Sequence, residues 1–557
     1  MKSKLLVLTT WFLLFVSVSA SGGQKFGPDV ETDTSEYFSI QNAFLTPFQL
    51  TDYNFLGGGA KARGMGGAFF AVSDDPTAAS WNPAGLTQLE KTQMNVSFSS
   101  YMQRNKYTLN ASSVNFNDSR KPKYDNNSIS FASVAIPFKI RGKELVIGGL
   151  YQKLADIFQE NRNVVILDRA LSQDSIVIPN YQLPQIDEKV TGKLDGFNIA
   201  LGGKVFQSLS LGAGVNIYTG KYTGNVDFFV PFQYAVEDFI SPDPSDSNGI
   251  RLHPNIVSKY SGFNFSFGAM YKWDKLRLGA VVKTPFSLKE DINAELFGDY
   301  VELGVVMPSL SKTRIFDFEG YERKWKMPTM VGVGTSYQMN SLTLALDVEF
   351  RNYSKTEVTY ERNIADPPSG EEVTTGGYLT DKWWVKEGNK PPFVPSLDWR
   401  NLTQIRLGGE YMLDTKWGKI PLRLGFRNDP KLFTTQLDSS EVYLQGYIDP
   451  ENMLILGNDT FFVYSPNFVL SNHGVEKGSW VNGSVFSFGT GIAWSQIKID
   501  VTYEYAHYGD VEKEIFTDIR LYDTKFRRTQ RITEQKKFSA KESNNYSRIM
   551  ISFTGFF

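Results

Sequence analysis

Residues 263–283 read FNFSFGAMYKWDKLRLGAVVK, and their alternation decides the fold. Phe263, Phe265, Phe267, Ala269, Tyr271 and Trp273 fall on one face of an extended chain; Asn264, Ser266, Gly268 and Lys272 fall on the other. After Asp274-Lys275, Leu276, Leu278, Ala280 and Val282 resume the apolar face against Arg277, Gly279 and Lys283. A period of two makes each half a strand with one apolar and one polar face. A two-residue connection makes the pair a hairpin.

The unit recurs. Segments 197–206 and 209–219 join at Gln207-Ser208, 331–339 and 342–350 at Asn340-Ser341, and 486–494 and 497–505 at Ser495-Gln496. Segments 405–413 and 422–427 are joined by the longer 414–421, and 131–138 and 145–151 by 139–144. Six hairpins supply twelve strands, and 93–107 and 545–557 raise the count to fourteen. Long polar segments (159–189, 230–257, 363–397 and 431–481) separate the hairpins. Short turns at one end, long loops at the other and an even strand number describe an all-β transmembrane barrel of the outer-membrane type. The apolar face then meets lipid, where the sheet must close to pair every backbone group. In a soluble sandwich the same face would be buried between two sheets. The last strand alternates through Ile549, Ile551, Phe553, Gly555 and Phe557, resembling the C-terminal recognition signal of outer-membrane barrels. Tyr151, Tyr218, Tyr271, Trp273, Tyr337, Tyr411, Trp494 and Tyr505 at strand ends fit an interfacial girdle, or plain strand propensity.

The remaining composition narrows the choice. A net charge of −2 on 557 residues offers nucleic acid no attractive field. Without cysteine there is no disulfide framework, zinc-thiolate site or catalytic thiol. Lys2 and Lys4, an apolar run over 5–16 and Val18-Ser19-Ala20 read as a signal peptide over 1–20. Residues 21–45 read as a polar extension, 46–92 as a separate small unit and 93–557 as the barrel.

That small unit contains residues 57–86, GGGAKARGMGGAFFAVSDDPTAASWNPAGL, with six glycines between Gly57 and Gly67. Backbone so rich in glycine suits a compact irregular segment lying close to other chain. Asp75-Pro76 and Asn82-Pro83 each place a capping residue before a proline, predicting two very short helical turns. The run Ala62-Arg63-Gly64-Met65-Gly66-Gly67-Ala68, followed by Asp74-Asp75-Pro76 and Asn82-Pro83-Ala84-Gly85-Leu86, resembles the N-terminal hatch of the FadL/TodX family. These are outer-membrane transporters of long-chain fatty acids and aromatic hydrocarbons. The resemblance implies fourteen strands, a plug inside the lumen, a hydrophobic small-molecule ligand and passive uptake with sideways release near a kinked third strand. Gly148-Gly149 is the expected kink, since glycine permits local bending. A monomer in outer-membrane lipid is expected, with the long loops free to dock a surface protein. A scaffold for secretion or surface attachment is the alternative, and a water-filled porin a third; the plug argues against the porin.

Catalysis finds little support. His253, His473 and His507 are far apart, with the first two in expected loops, and no metal-ligand spacing or nucleophile motif appears. No cofactor is expected. Residues 243–249 faintly resemble a calcium loop but lack the distal Glu, so a polar turn is expected. Gly212-Ala-Gly214 and Gly489-Thr-Gly491 lie inside strands, where glycine more often allows close packing or a bend than cradles phosphate. Arg406, Glu410, Arg423, Arg427, Asp347, Glu349, Asp500 and Glu504 occupy polar strand faces. They form either an inward network that holds the hatch or a cation site for a substrate carboxylate. Phe69, Phe70 and Trp81 either line an apolar pocket or pack the plug. Asn82, Pro83 and Ala84 read as a structural cap.

Overall fold

The computed structural model describes residues 56–557 apart from 112–115, 122, 165–184, 232–248, 303–304, 307–312, 357, 363–395, 447–452, 457–458, 463–467, 479, 524–527 and 532–535. The expected signal peptide and extension, the start of the 46–92 unit, most of 363–397 and nearly all of 243–249 lie outside the described residues.

Fourteen antiparallel strands close into one barrel. They are β1 (Gln93–Ala111), β2 (Lys123–Ile140), β3 (Lys143–Val164), β4 (Gln185–Lys204), β5 (Leu209–Pro231), β6 (Gly249–Trp273) and β7 (Leu276–Lys283, resuming as Phe286–Glu302). After them come β8 (Thr313–Met327, resuming as Met330–Met339), β9 (Leu342–Arg351), β10 (Leu402–Thr415), β11 (Gly418–Asn428), β12 (Gly483–Ala493), β13 (Ile497–Tyr508) and β14 (Lys536–Phe556). Each pairs with its sequence neighbour, and β14 pairs with β1 from Gln93↔Phe556 to Asn110↔Ser539, closing the ring. Above the lipid-facing wall, β9 to β13 connect to further paired segments, including Val358–Arg362, Phe433–Gly446 and Val511–Asp523. Pro285, Pro328 and Pro430 stand at three of the breaks, where a residue without an amide hydrogen cannot serve the ladder.

Burial is inverted relative to a soluble sheet. Phe263, Phe265 and Phe267 are 62, 45 and 51% exposed, whereas Asn264 and Ser266 between them are 3 and 1% exposed. Phe197, Ile199, Leu344, Leu346, Phe486 and Phe488 repeat the outward pattern on other strands. From Phe263 to Trp273 the band runs about 33 Å along the strand, or about 25 Å of height at the usual tilt, the thickness of an outer-membrane apolar belt. Trp273, Trp417, Trp494, Tyr271, Tyr337 and Tyr411 stand exposed toward the short-turn end, at the level of an aromatic girdle. A closed barrel carrying such a belt spans a membrane.

Several expectations are corrected. The 139–144 connection shrinks to Arg141-Gly142, whose φ of 50 and 78° make the mirror-image turn that suits twisted strands. The 414–421 connection shrinks to Lys416-Trp417, and Pro421 sits inside β11 opposite Met412. Much of 159–189 and 230–257 is wall: β4 pairs with β5 out to Ile186↔Phe228, and β5 with β6 to Pro231↔Gly249. Wall rising above the lipid has water outside, so its outward positions lose the apolar signal. His253 and His473 accordingly lie in strands, His473 opposite Asp518. Tyr218 faces the lumen, its hydroxyl donating to Asn264 Oδ1 at 3.0 Å, and so leaves the girdle. The ladder runs through Gly148 and Gly149 without a shift; β3 changes register between Lys153 and Ala155 instead.

Candidate functional site

Residues 56–89 occupy the lumen. They form helical turn α1 (Ala60–Gly64), turn α2 (Ala78–Trp81) and a 3-10 turn (Pro83–Gln88). Nearly every residue of this inner segment is buried, although among the described residues no membrane-length helix shields it. The wall does so, and it comes close because it is stripped of side chains at the points of contact. A Cβ on Gly425 of β11 would stand 1.9 Å from Gly66 N, and one on Gly408 of β10 2.5 Å from Met65 O. On the opposite side, a Cβ on Gly212 of β5 would meet Pro83 C at 2.4 Å, and one on Gly268 of β6 Asn82 Oδ1 at 2.1 Å. Gly212 and Gly268 are register partners, so adjacent strands open the same level of the wall. Glycine within a strand here marks backbone meeting backbone. On the inner segment itself, Gly66 and Gly67 have φ of 66 and 83°, which L side chains rarely adopt, and a Cβ on Gly66 would reach Phe426 N at 2.6 Å.

Inside this ring Phe69, Phe70 and Trp81 pack edge-to-face, with centroids 6.0 and 6.4 Å from Trp81. Each is at most 2% exposed. Trp81 Nε1 donates to Gly58 O at 2.8 Å, and the Arg406 guanidinium lies 5.1 Å from the Phe70 ring. Asn82 organises the next turn: its Nδ2 donates to Phe70 O at 2.8 Å and to Ala269 O of β6 at 3.1 Å, and its Oδ1 accepts from Ala84 N at 3.1 Å. Pro83 follows at the first position of the 3-10 turn, where no amide is missed. Gly148 of β3 leaves room for Leu86, whose methyls would be 3.2 Å from a Cβ there.

Polar groups on the wall hold the segment in register. Thr502 Oγ1 donates to Ala60 O at 2.6 Å, and Ala60 N donates to Ser552 Oγ at 3.0 Å. Ser487 Oγ accepts from Gly66 N at 3.0 Å and donates to Gly64 O at 3.1 Å. Asp347 Oδ2 accepts from the amides of Phe69 and Phe70 at 2.6 and 2.9 Å. Lys61 bonds Asp74 at 2.8 Å and approaches Glu410 at 3.6 Å, while Arg63 lies 3.8 Å from Glu504. Burial works against the Lys61 charge, yet Asp74 and Glu410 outweigh it and hold its pKa above the ordinary value. Burial and the neighbouring Asp74 push the Asp75 carboxyl up. Behind them the wall charges cross-link: Arg423 bonds Glu410 at 2.6 Å and Asp500 at 2.7 Å, Arg427 bonds Glu504 at 2.5 Å, and Glu349 bridges Arg351 and Arg406. All eight charged wall residues singled out from the sequence therefore face the lumen, and each has a partner in this network.

A second compartment was not legible in the sequence. Beyond the inner segment, away from the short turns, inward side chains of β3 to β8 form an apolar cluster that includes Leu194, Tyr222, Tyr260, Leu288 and Trp325. Tyr353 stacks on Trp399 at 5.8 Å within it. At its centre the buried Glu290 accepts from Tyr222 Oη at 2.8 Å, Ser258 Oγ at 2.6 Å and Arg323 Nε at 2.6 Å. The usable signal was the four-residue spacing of Tyr218 and Tyr222 and of Leu288 and Ile292, missed because all but Tyr218 lie beyond the hairpins read from the alternation. The β3 register shift adjoins this cluster, and Leu154 at the shift packs against it. Among the described residues no group of three His, Asp or Glu side chains is placed to hold a metal ion.

No family model and no curated protein matches the chain. Among solved structures, a FadL homologue of Pseudomonas aeruginosa aligns with a TM-score of 0.51 over 90% of this chain and 98% of that one, at 14% identity. The chain has the FadL fold. Two toluene transporters align more loosely: TodX of Pseudomonas putida (TM-score 0.48, 12% identity, 91 and 100% of the two chains) and TbuX of Ralstonia pickettii (TM-score 0.44, 13% identity, 91 and 100%). The FadL fold accounts for the strand number, the closure and the common side of both barrel ends.

Proposed function

We propose that the chain is an outer-membrane member of the FadL/TodX family that passes hydrophobic small molecules, such as long-chain fatty acids or related hydrocarbons, into the cell. One observation carries the reading: a glycine-rich segment fills the lumen directly beneath an apolar, aromatic compartment. The upper compartment offers a desolvated stop to a molecule that polar surface layers exclude. Residues 56–89 act as the hatch, with Gly66, Gly67, Asn82, Pro83 and Ala84 shaping it to the wall. Phe69, Phe70 and Trp81 pack the closed hatch, and a ligand reaches them once it shifts.

Sideways release fits the β3 register shift better than Gly148-Gly149. A bulge leaves backbone unpaired and bends its strand, and this one adjoins the apolar compartment. Gly148 instead makes room for Leu86. Solvent-extracted small molecules from the purified chain, identified by mass spectrometry, test the reading. Recovery of fatty acids or hydrocarbons, lost when Tyr222 and Trp325 are both replaced by Asp, supports it. Recovery of none from cells grown with them contradicts it.

A further inference from the structure

The outer wall carries a row of like charges. Lys193 of β4 is the direct register partner of Lys221 on β5, and Lys221 of Lys259 on β6. Each shares the parity of the lipid-facing side chains on its own strand (Phe197, Ile217 and Phe263), so all three point outward, and all three are exposed. Side chains directly opposite on antiparallel strands stand about 5 Å apart, and like charges in that relation destabilise the sheet.

Nearby carboxylates offset the row only in part. Asp195 bonds Lys193 at 2.7 Å, but Asp291, opposite Lys259, is held by Lys289 at 3.1 Å, and Glu322 by Lys289 and Lys324. Neither Lys221 nor Lys259 makes an ion pair among the described residues. The depth is equally specific. Lys259 lies four residues above Phe263, where the outward Phe263-Phe265-Phe267 run of β6 ends. That is about 13 Å along the strand and roughly 10 Å in height, at the headgroups rather than the acyl chains.

We propose that Lys193, Lys221 and Lys259 form an outward-facing site for the phosphate of a phosphorylated lipid headgroup. The lipid lies in the leaflet away from the short turns. A lipid phosphate neutralises the Lys221 and Lys259 charges, which have no ion pair among the described residues, with Lys193 at the end of the row, while its acyl chains lie on the Phe197, Ile217 and Phe263 surface just below. The site depends on the membrane-spanning reading but not on transport. Naming its leaflet the outer one rests on the proposed localisation.

Native mass spectrometry of the full chain in non-ionic detergent, titrated with diphosphorylated lipid A or with its dephosphorylated form, tests the site. The wild type is expected to retain the phosphorylated form and to release the other. K221Q/K259Q should bind the phosphorylated form roughly tenfold more weakly for each charge-assisted contact removed, whereas K221R/K259R should bind as the wild type does. In lipid-free detergent K221Q/K259Q should melt no lower than the wild type, because repulsion is removed; only the wild type should gain melting temperature on adding phosphorylated lipid A. Should the double variant not assemble, K221Q alone makes the same comparison. Equal retention of both lipid forms, or undiminished binding by the Gln variants, overturns the site. No hydrophobe recovered from the wild type, with its lipid retention intact, would overturn the transport reading alone.

Discussion

Gly425→Ala puts one methyl group between the wall and the inner segment 56–89, the proposed hatch. Its Cβ would stand 1.9 Å from Gly66 N and 2.4 Å from Met65 C, where ordinary contact begins at 3.4 Å. The hatch backbone must therefore retreat by 3.4 − 1.9 = 1.5 Å. Ser487 Oγ, now 3.0 Å from Gly66 N and 3.1 Å from Gly64 O, then loses both bonds. Two hydrogen bonds at about 1 kcal/mol each, plus overpacking at about 1–3 kcal/mol, weaken hatch docking by about 3–5 kcal/mol. The same methyl would stand 2.4 Å from Ser487 Oγ, which must turn aside, while the backbone ladder that sets Gly425 opposite Gly408 and Ser487 is spared. In planar bilayers the variant should conduct ions in bursts while the wild type stays closed, and both should show the gel shift of a folded barrel on heating. Gly409→Ala is the control: one residue from Gly408, it faces outward and its Cβ would meet nothing nearer than 3.6 Å. A Gly425→Ala barrel that is folded, closed and as protease-resistant over 56–89 as the wild type would refute the contact reasoning.

Further outcomes follow from the same contacts. Asp347→Asn keeps the shape but removes the charge that takes the Phe69 and Phe70 amides; hatch docking should weaken by about 1–2 kcal/mol, read as faster proteolysis within 56–89. Glu504→Gln leaves Arg427 and Arg63 facing a neutral side chain; the barrel should lose about 3–5 kcal/mol, read as a lower unfolding midpoint in detergent and denaturant. Trp81→Ala removes the central ring of the hatch and its bond to Gly58 O, and should cost about 3–5 kcal/mol, read as conductance like that of Gly425→Ala.

The sequence carried the lower barrel well and the upper barrel poorly, for a physical reason. Where lipid lies outside and a polar lumen inside, period-two alternation is forced, and 263–283 shows it without ambiguity. Above the lipid both sides tolerate polar residues, so the wall at 185–189 and 230–231 read as loop, 190–196 and 220–229 were left unassigned, and Tyr218 was placed on the wrong face. The inward charges were found because parity alone assigns them, although their partners across strands depend on closure. Gly212 and Gly489 were correctly expected to pack closely, but their neighbour across the gap was invisible. Only the fold shows that Gly268, Gly408 and Gly425, on separate strands, open the wall where the hatch touches it. At Gly148-Gly149 the ladder keeps its register and Gly148 leaves room for Leu86, while the register shift falls at Leu154, which nothing in its composition marks.

Uptake by whole cells tests the central claim most directly. A strain lacking its own hydrophobe transporter, with and without this chain, would be given a labelled long-chain fatty acid or monoaromatic hydrocarbon alongside a labelled sugar of similar mass. The account predicts faster entry of the hydrophobic compound alone when the chain is present. Equal entry with and without the chain, or entry of the sugar along with the hydrophobe, would contradict it.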